Sequence, residues 1–547
     1  MSTASLAGRY SIADIVAVRP VIGMEVHVEL ASQSKMFAAA ASPAAMATNS
    51  KQGEGEFDDG GHPNELIDPT VLGLPGALPT LNTRAIELSA RVGLALNCTI
   101  APVTKWDRKS YFYPDLPKGY QISQYDQPLC ADGWVDVPAS DKDGFPDFTV
   151  KAKRIRIVRA HLEEDAGKLM HEAPGVIAGE GTFADYNRAG TPLLEIVTVP
   201  DFVSAEECVS FSKWLRATCR SLGATLGVMQ LGHMRFEPNI NCVVVFRDGC
   251  EYVTPIVEVK NLNSFRSLRA AIEHEVTQQP ARLLSEGRVH GPGQKVTRGF
   301  DDATGTTFVQ REKEDAQDYR YFPDPDILPI ECSPEWIAEQ RRSVGQLPLE
   351  KFRRNVQQFG LAVKEALPLA EEPDVASFYD ETIQALVKMG VEFNRAGKAV
   401  ANVLLQSGQR RANERGTALS SLGISALSAA ALVKLREDGK ISNQSVDVLF
   451  ERLCDATYPH SHSVEQAVAS VESLAAETGA LIVRDDAAME SWIQQVFAAN
   501  TKVVEDVRQG KIAAAGRLVG EIMKLAGARA DAKTVREAVL RACGQSA

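Results

Sequence analysis

The sequence predicts an α+β protein in which a strand-rich N-terminal half precedes a helical C-terminal half. Three observations predict it. Residues 20–330 alternate runs of Val, Ile and Tyr with Pro/Gly punctuation such as Leu74-Pro75-Gly76 and Pro117-Lys118-Gly119. From about Pro334 onward, long Ala/Leu/Glu/Arg segments dominate and strand patterns fade. The 547 residues are 44% hydrophobic and 24% charged, an ordinary globular composition that excludes disordered, collagen-like and disulfide-dense chains. At about 150 residues per domain, the length suggests three or four units.

Taken in order, residues 21–30 place Met24, Val26, Val28 and Leu30 in alternation with Glu25, His27 and Glu29, which is the period of a strand. Residues 38–48 are nearly all Ala, Ser and Pro, and residues 51–61 are Gly- and acid-rich. Both are expected to be surface loop. Residues 84–96 and 205–222 carry apolar side chains at three- and four-residue spacing and predict helices. Period two returns in residues 234–241, where Arg235, Glu237, Asn239 and Asn241 face away from Met234, Phe236 and Ile240. It returns again in 257–260, with Glu258 and Lys260 opposite Val257 and Val259. In the helical half, Pro348, Pro368, Pro373 and Pro459 punctuate the segments. No fixed-period repeat is present.

No run of about 18 apolar residues exists, so no membrane-spanning helix is expected. The first 20 residues carry Arg9, Asp14 and Arg19 without a long apolar block and do not read as a signal peptide. The nine cysteines form no CxxC pair, so reduced thiols and a cytoplasmic location are expected. The net charge of −12 is uneven. Residues 502–547 hold nine Lys/Arg against five Asp/Glu, +4, which leaves −16 for the rest. An acidic body with a basic tail is compatible with nucleic acid at one end.

The chemistry sits on the strands. One such strand alone reads as half-buried with its polar face in water. Several strands carrying carboxylates, His, Arg and Asn would instead crowd negative charge onto one surface, and burial would raise the carboxyl pKa values. A divalent cation relieves that conflict, and oxygen-rich ligands with one imidazole suit Mg²⁺ or Mn²⁺ better than zinc. Residues 161–168 (HLEEDAGK) pack three acids beside a His and a Lys. Glu195, inside the apolar run Leu193-Leu194-Glu195-Ile196-Val197, needs either a metal or an ion pair with Arg188 or Arg159. An oxygen-ligated cation beside Arg and Lys is equipment for phosphoryl transfer. There is no GxxxxGK[ST] and no GxSxG. The GxGxxA at 179–184 runs into Gly190 and Pro192 instead of a helix, so any phosphate chemistry belongs to a sheet and not to a P-loop.

Residues 21–30 (VIGMEVHVEL), 72–79 (LGLPGALP), 107–126 (DRKSYFYPDLPKGYQISQYD), 185–200, 259–265 (VKNLNSF), 318–323 (DYRYFP) and 516–524 (GRLVGEIMK) resemble, in order and along nearly the whole chain, the B subunit of the bacterial tRNA-dependent amidotransferase. The resemblance implies an antiparallel-sheet cradle of the glutamine synthetase/guanidino kinase type over 1–343. A helical domain over 344–480 and a small tRNA-binding helical tail over 481–547 would follow. It implies ATP-dependent amidation of misacylated Glu-tRNA(Gln) and/or Asp-tRNA(Asn) through an acyl phosphate. Ammonia would come from glutamine hydrolysed by the amidase (glutaminase) partner, the A subunit, and a small third partner, the C subunit, would brace the pair. By that match Glu25, His27, Glu164 and Glu258 are catalytic metal ligands, and Glu195 is a further ligand. Arg188, Lys260 and Asn261 would contact phosphate or nucleotide, and the cofactors would be ATP and Mg²⁺.

The chain also departs from the family pattern. Ala38, Ala40, Asp68 and Val71 stand where many members carry zinc-binding cysteines, so no zinc is expected. Glu237 replaces a common Asp, Ser110 an Asn, Lys295-Val296 a Gln-Glu pair, and Val403 a Trp. A non-catalytic tRNA-binding scaffold paralogue is the alternative function, and the intact ligand set argues against it. A free-standing ligase for a small molecule is a third possibility, disfavoured by the basic tail.

Overall fold

The computed structural model describes residues 6–49, 62–141, 144–170, 181–312, 319–455, 461–482, 486–526, 530 and 532–544. The acid-rich stretch 51–61, Pro459 and Asp318 lie outside them. Two compact units are present, Met1–Glu350 and Lys351–Ala547.

The first unit is built on one large sheet. Its principal strands are β1 (Ile15–Glu29), β2 (Asp107–Ser110), β3 (Tyr120–Ser123), β4 (Cys130–Val137), β5 (Lys153–Glu164), β6 (Pro192–Thr198), β7 (Met234–Phe246), β8 (Val257–Lys260), β9 (Val296–Asp301), β10 (Thr306–Glu312) and β11 (Phe322–Pro323). Their order is β10-β9-β8-β7-β1-β6-β5-β3-β2-β11. The expected all-antiparallel sheet needs one correction: β8 and β9 pair in parallel, so the sheet is mixed. The physical reason is the connection between them, which includes a 22-residue helix long enough to return the chain to the same end of the sheet.

Alternation divides the sheet into two unlike faces. From β1, Met24, Val26 and Val28 are at most 1% exposed. They share a core with Leu194, Ile196, Ala160, Leu162 and Phe236 of neighbouring strands. Burying each such aliphatic side chain stabilises the fold by about 1.5–3 kcal/mol. Three helices contribute to that core: α2 (Thr83–Ala95), α3 (Ala205–Ser221) and α4 (Phe265–Glu286). Their starts follow from their caps. Asn82, Ser204 and Ser264 each accept a hydrogen bond from the backbone N–H three residues on. The opposite sheet face carries the polar set.

The Ala-rich stretch differs from its expectation as surface loop. Residues Pro43–Asn49 form a short helix, α1, and Ala38, Ala44 and Ala45 are at most 7% exposed. Pro43 opens that helix, a position where its missing N–H is not needed, and alanine is the best helix former. Ala38 packs with Val71 and Ala189, so two of the positions where zinc ligands would stand are filled by apolar contact.

The second unit is helical. It contains α7 (Pro373–Lys388), α8 (Phe393–Val403), α9 (Ala426–Glu437), α10 (Asn443–Leu453) and α11 (Val464–Glu477), after α5 (Pro334–Val344) and α6 (Pro348–Gln357) at the junction of the units. Helix α9 buries Ala429 through Val433 and Leu435. A separate apolar cluster joins α12 (Asp486–Ala499), α13 (Thr501–Arg508), α14 (Ala515–Ala526) and α15 (Ala532–Ala542) through Ile493, Val504, Leu518, Ile522 and Val535. Among the described residues no helix is long and apolar enough to cross a membrane.

Candidate active site

Strand register brings the polar side chains together. Directly opposed residues share a face and stand next to one another. On β1, His27 lies opposite Glu195 of β6 and Arg235 of β7, and Glu25 lies opposite Glu237 of β7. Glu195 lies opposite His161 of β5, Asn239 opposite Glu258 of β8, and Glu163 opposite Ser123 of β3. All of these occupy the sheet face that the helical core leaves open.

Two groups of potential ligands result. His27, Glu163 and Glu195 form one, and Glu25, Glu237 and Glu258 form the other. In each group one ligand atom per residue lies within 4.8 Å of the others. The first is strung along two imidazoles: His27 Nε2 is 3.7 Å from Glu195 Oε2, and His161 Nε2 is 3.4 Å from the same oxygen. The second is bridged by lysines. Lys260 Nζ is 2.7 Å from Glu237 and 3.4 Å from Glu258, and Lys295 Nζ is 3.3 Å from Glu258 and 3.9 Å from Glu25. Asn239 Nδ2 donates to Glu25 Oε1 at 2.9 Å.

The electrostatics follow from burial and crowding. Burial pushes the Glu25 carboxyl up; Lys295 opposes the rise, and Glu195, Glu258 and Glu237 add to it. Burial likewise raises Glu163, with Glu195 adding to the effect. Burial alone would raise Glu195, but His27 and His161 beside it hold it well below the usual carboxylate range. Burial would lower His27, yet Glu195 and Glu237 outweigh it and hold the imidazole at about 9. His161 goes the other way, pushed down to about 4 by burial. For Lys260, Glu237 and Glu258 overcome burial and keep the ammonium charged. His27 Nδ1 and Asn239 Oδ1 are buried with no hydrogen-bond partner. Five carboxylates, one ligand imidazole and orphaned polar atoms form a donor set that fits hard divalent cations.

The expected site residues do not all meet there. Glu25, His27, Glu195, Glu258 and Lys260 do. Glu195 is paired with neither Arg188 nor Arg159; its neighbours are the two histidines. Glu164, expected as a metal ligand, stands apart from both groups. It is one residue from Glu163, so the pleat turns it to the opposite face, where it accepts from Lys118 Nζ at 2.5 Å and from the Ile122 N–H at 2.9 Å. Arg188 is held at the backbone: its guanidinium donates to the Ala166 and Gly167 carbonyls and lies 3.4 Å from Asp165. Asn261 is exposed just after β8, with φ 65°, a left-handed conformation that Asn tolerates. Glu163, Glu237 and His161 complete the site, and none stands out as a ligand from sequence. The period-two rule applied to residues 159–163 finds Glu163, because it shares parity with His161.

The chain matches the family model described as GatB/GatE catalytic domain over residues 20–338, and the GatB domain over 383–543. It is 40% identical over 509 residues, 93% of each chain, to the B subunit of an aspartyl/glutamyl-tRNA(Asn/Gln) amidotransferase from Rhodopirellula baltica. It is 39% identical over 554 residues, the full length of both chains, to the protein of that name from Mycolicibacterium smegmatis. A relative of the same name from Thermosynechococcus vestitus is 37% identical over 519 residues, 94% of this chain and 95% of its own.

Proposed function

The chain belongs to the GatB/GatE family of tRNA-dependent amidotransferase B subunits, and on that premise we propose that its sheet face activates a carboxylate with ATP and converts it to an amide. The substrate is the side-chain carboxylate of Glu or Asp esterified to tRNA(Gln) or tRNA(Asn). A carboxylate does not react with ammonia at useful rate, because oxide is too poor a leaving group. Attack of the carboxylate oxygen on the γ-phosphorus of ATP forms one O–P bond and breaks the bond to ADP. Ammonia then adds to the acyl carbon, loses a proton and expels inorganic phosphate.

The convergence of two carboxylate groups on one sheet face is the observation that carries this reading. His27, Glu163 and Glu195 would hold one cation, and Glu25, Glu237 and Glu258 a second. Magnesium bound there supplies charge neutralisation for the phosphoryl oxygens. Lys260 and Lys295 stand between the carboxylates of the second group, placed to turn their charge toward phosphate. Asp165, held by Arg235 at 3.0 Å and by Arg188, fixes the end of β5 that carries Glu163. Ammonia is taken from the glutamine-hydrolysing amidase partner, with the small third partner bracing the pair, in a cytoplasmic heterotrimer that needs no zinc in this chain. The tail helices α12–α15 contact the tRNA backbone.

The test is reconstitution with the amidase partner, ATP, Mg²⁺, glutamine and each misacylated tRNA. Glu237→Gln should lower tRNA-dependent phosphate release by on the order of 100-fold or more, as loss of a group stabilising phosphoryl charge does. Wild-type turnover in that variant refutes the site. A scaffold paralogue would bind tRNA and partners while the wild-type complex consumed no ATP.

A further inference from the structure

The active face does not end at the carboxylates. Beyond β5 it continues onto β3 and β2, where Ser123 lies opposite Glu163, Asp107 opposite Ser123, and Lys109 opposite Gln121. Lys109 therefore shares the face of the first ligand group. Beside it begins a row of four tyrosines. Tyr111 and Tyr319 meet edge-on with centroids 5.9 Å apart, and Tyr319 meets Tyr321 at 6.3 Å. Tyr125 stacks on Tyr321 at 4.3 Å with the rings 11° from parallel. Lys109 Nζ is 5.8 Å from the Tyr111 ring centroid and 5.1 Å from that of Tyr319. The row borders the first ligand group electrostatically: burial and then Glu163 raise the phenols of Tyr111 and Tyr321.

Two features distinguish this row from core packing. Tyr125 is 53% exposed, so the outer member of the stacked pair is accessible from solvent. The two cations beside the row also lack an ion-pair partner. Arg159 shares the parity of His161 and Glu163, and its Nε is buried without a partner. Among the described residues the side chains of Arg159 and Lys109 make no hydrogen bond or ion pair; Lys109 rests over the Tyr111 and Tyr319 rings, from where its charge acts on Glu163 and Glu195. Stacked rings with unpaired cations form a site for an unpaired nucleotide: the rings take the base and the cations take the phosphate.

We propose that the Tyr111–Tyr125–Tyr319–Tyr321 row, with Lys109 and Arg159, binds the unpaired 3′-terminal nucleotides of the aminoacylated RNA. This rests on the amidotransferase reading above. In-line transfer puts the attacking oxygen and the leaving ADP on opposite sides of the γ-phosphorus. Lys260 and Lys295 flank the second ligand group and serve the phosphates of ATP. The tyrosine row flanks the first group, so the RNA end approaches from there and delivers its esterified carboxylate between the two groups.

The test uses the reconstituted complex and two RNA hairpins, one with an unpaired 3′ end and one blunt. Tyr125→Leu should weaken binding of the overhang hairpin by about 10-fold, within the range that stacking of one base on an aromatic side chain provides. Tyr125→Phe should bind as wild type, and the blunt hairpin should not distinguish the three proteins. Arg159→Gln should weaken the overhang hairpin and flatten its salt dependence. In each variant the KM for ATP should be unchanged. Unchanged overhang affinity in Tyr125→Leu and Arg159→Gln overturns the proposal, as does a raised KM for ATP at unchanged RNA affinity, which would give the row to the adenine of ATP. Either result leaves the amidotransferase reading standing if the wild-type complex turns over. A wild-type complex without turnover sinks that reading, while the hairpin affinities still decide the stacking site.

Discussion

Glu163 and Glu164 are adjacent in sequence and should respond oppositely to the same substitution. Glu164 is 3% exposed, and its carboxylate balances the largely buried Lys118 ammonium at 2.5 Å while accepting from the Ile122 N–H at 2.9 Å. Glutamine there removes the charge and leaves the ammonium uncompensated. Breaking one side of a buried pair costs about 3–5 kcal/mol, and the amide oxygen can still accept from Ile122, so a loss of about 3 kcal/mol is expected. Glu163 is 4% exposed, and its described hydrogen bond comes from Ser123 Oγ at a long 3.3 Å. Burial and Glu195 already disfavour its charge, so Glu163→Gln should leave stability unchanged or raise it. For activity the order reverses. Glu163→Gln should lose tRNA-dependent phosphate release by on the order of 100-fold, whereas folded Glu164→Gln should retain most of it. Urea denaturation followed by tryptophan fluorescence, with Trp492 of the second unit replaced by Phe, reads the stability of the relevant unit, because the other four tryptophans, Trp106, Trp134, Trp214 and Trp336, lie in Met1–Glu350. A Glu164→Gln protein with wild-type stability and no turnover would refute the argument from strand parity.

Two further outcomes follow from the packing. Deleting residues 483–547 should weaken tRNA binding and flatten its salt dependence while leaving glutamine hydrolysis by the partner intact, as measured by filter binding and ammonia release. Unchanged tRNA affinity would refute the tail assignment. Cutting at 502 instead would strip Ile493 and Val496 of Val504, Leu518 and Ile522, so that truncation should aggregate. Lys35 gives a pH prediction. Its fully buried ammonium donates to the Asn187 and Ala189 carbonyls at 2.8 and 2.5 Å. Burial lowers it to about 8, against the opposing pull of Asp68, Glu164, Asp185 and Glu29. The unfolded chain holds this proton up to about 10.5, so between the two values the unfolded state binds more protons and stability should rise with pH. The stability difference between wild type and Lys35→Met should therefore grow from pH 7.5 toward 9.5. A difference that shrinks over that range would show that the fold favours the charged amine.

The legible part of the site is the part written in period two. On β1, β7 and β8 the alternation is clean, and Glu25, His27, Glu258 and Lys260 can be placed on one face before any register is known. Residues 161–168 hide the same information, because three consecutive acids offer a carboxylate to each face and only the pleat says which is which. Composition misleads at residues 38–48: alanine and serine read as loop, yet Pro43 and the alanines that follow favour a short helix and fit against small neighbours. Lys35 is hidden because a lone lysine after the polar Ser32-Gln33-Ser34 looks solvated. Its role depends on the carbonyls of residues 187 and 189, far along the chain.

Register is the deeper limit, since it is fixed by pairings between distant segments. Nothing near His27 announces Glu195, and nothing near Glu25 announces Glu237. The division of the carboxylates into two groups therefore cannot be read locally. The existence of a charged face can be, and for a physical reason. A strand face built of Glu, His, Arg and Asn cannot join an apolar core, and carboxylates brought side by side repel unless cations lie between them. The fold supplies part of that charge itself, through Lys260, Lys295 and Arg235. Yet it leaves His27 Nδ1 and Asn239 Oδ1 buried and unpartnered, and Glu25 and Glu163 with raised pKa values. A protein selected only to fold would replace such a face with threonine and lysine. Keeping it is costly to the free protein, a cost that cations and phosphates would offset under the proposed function.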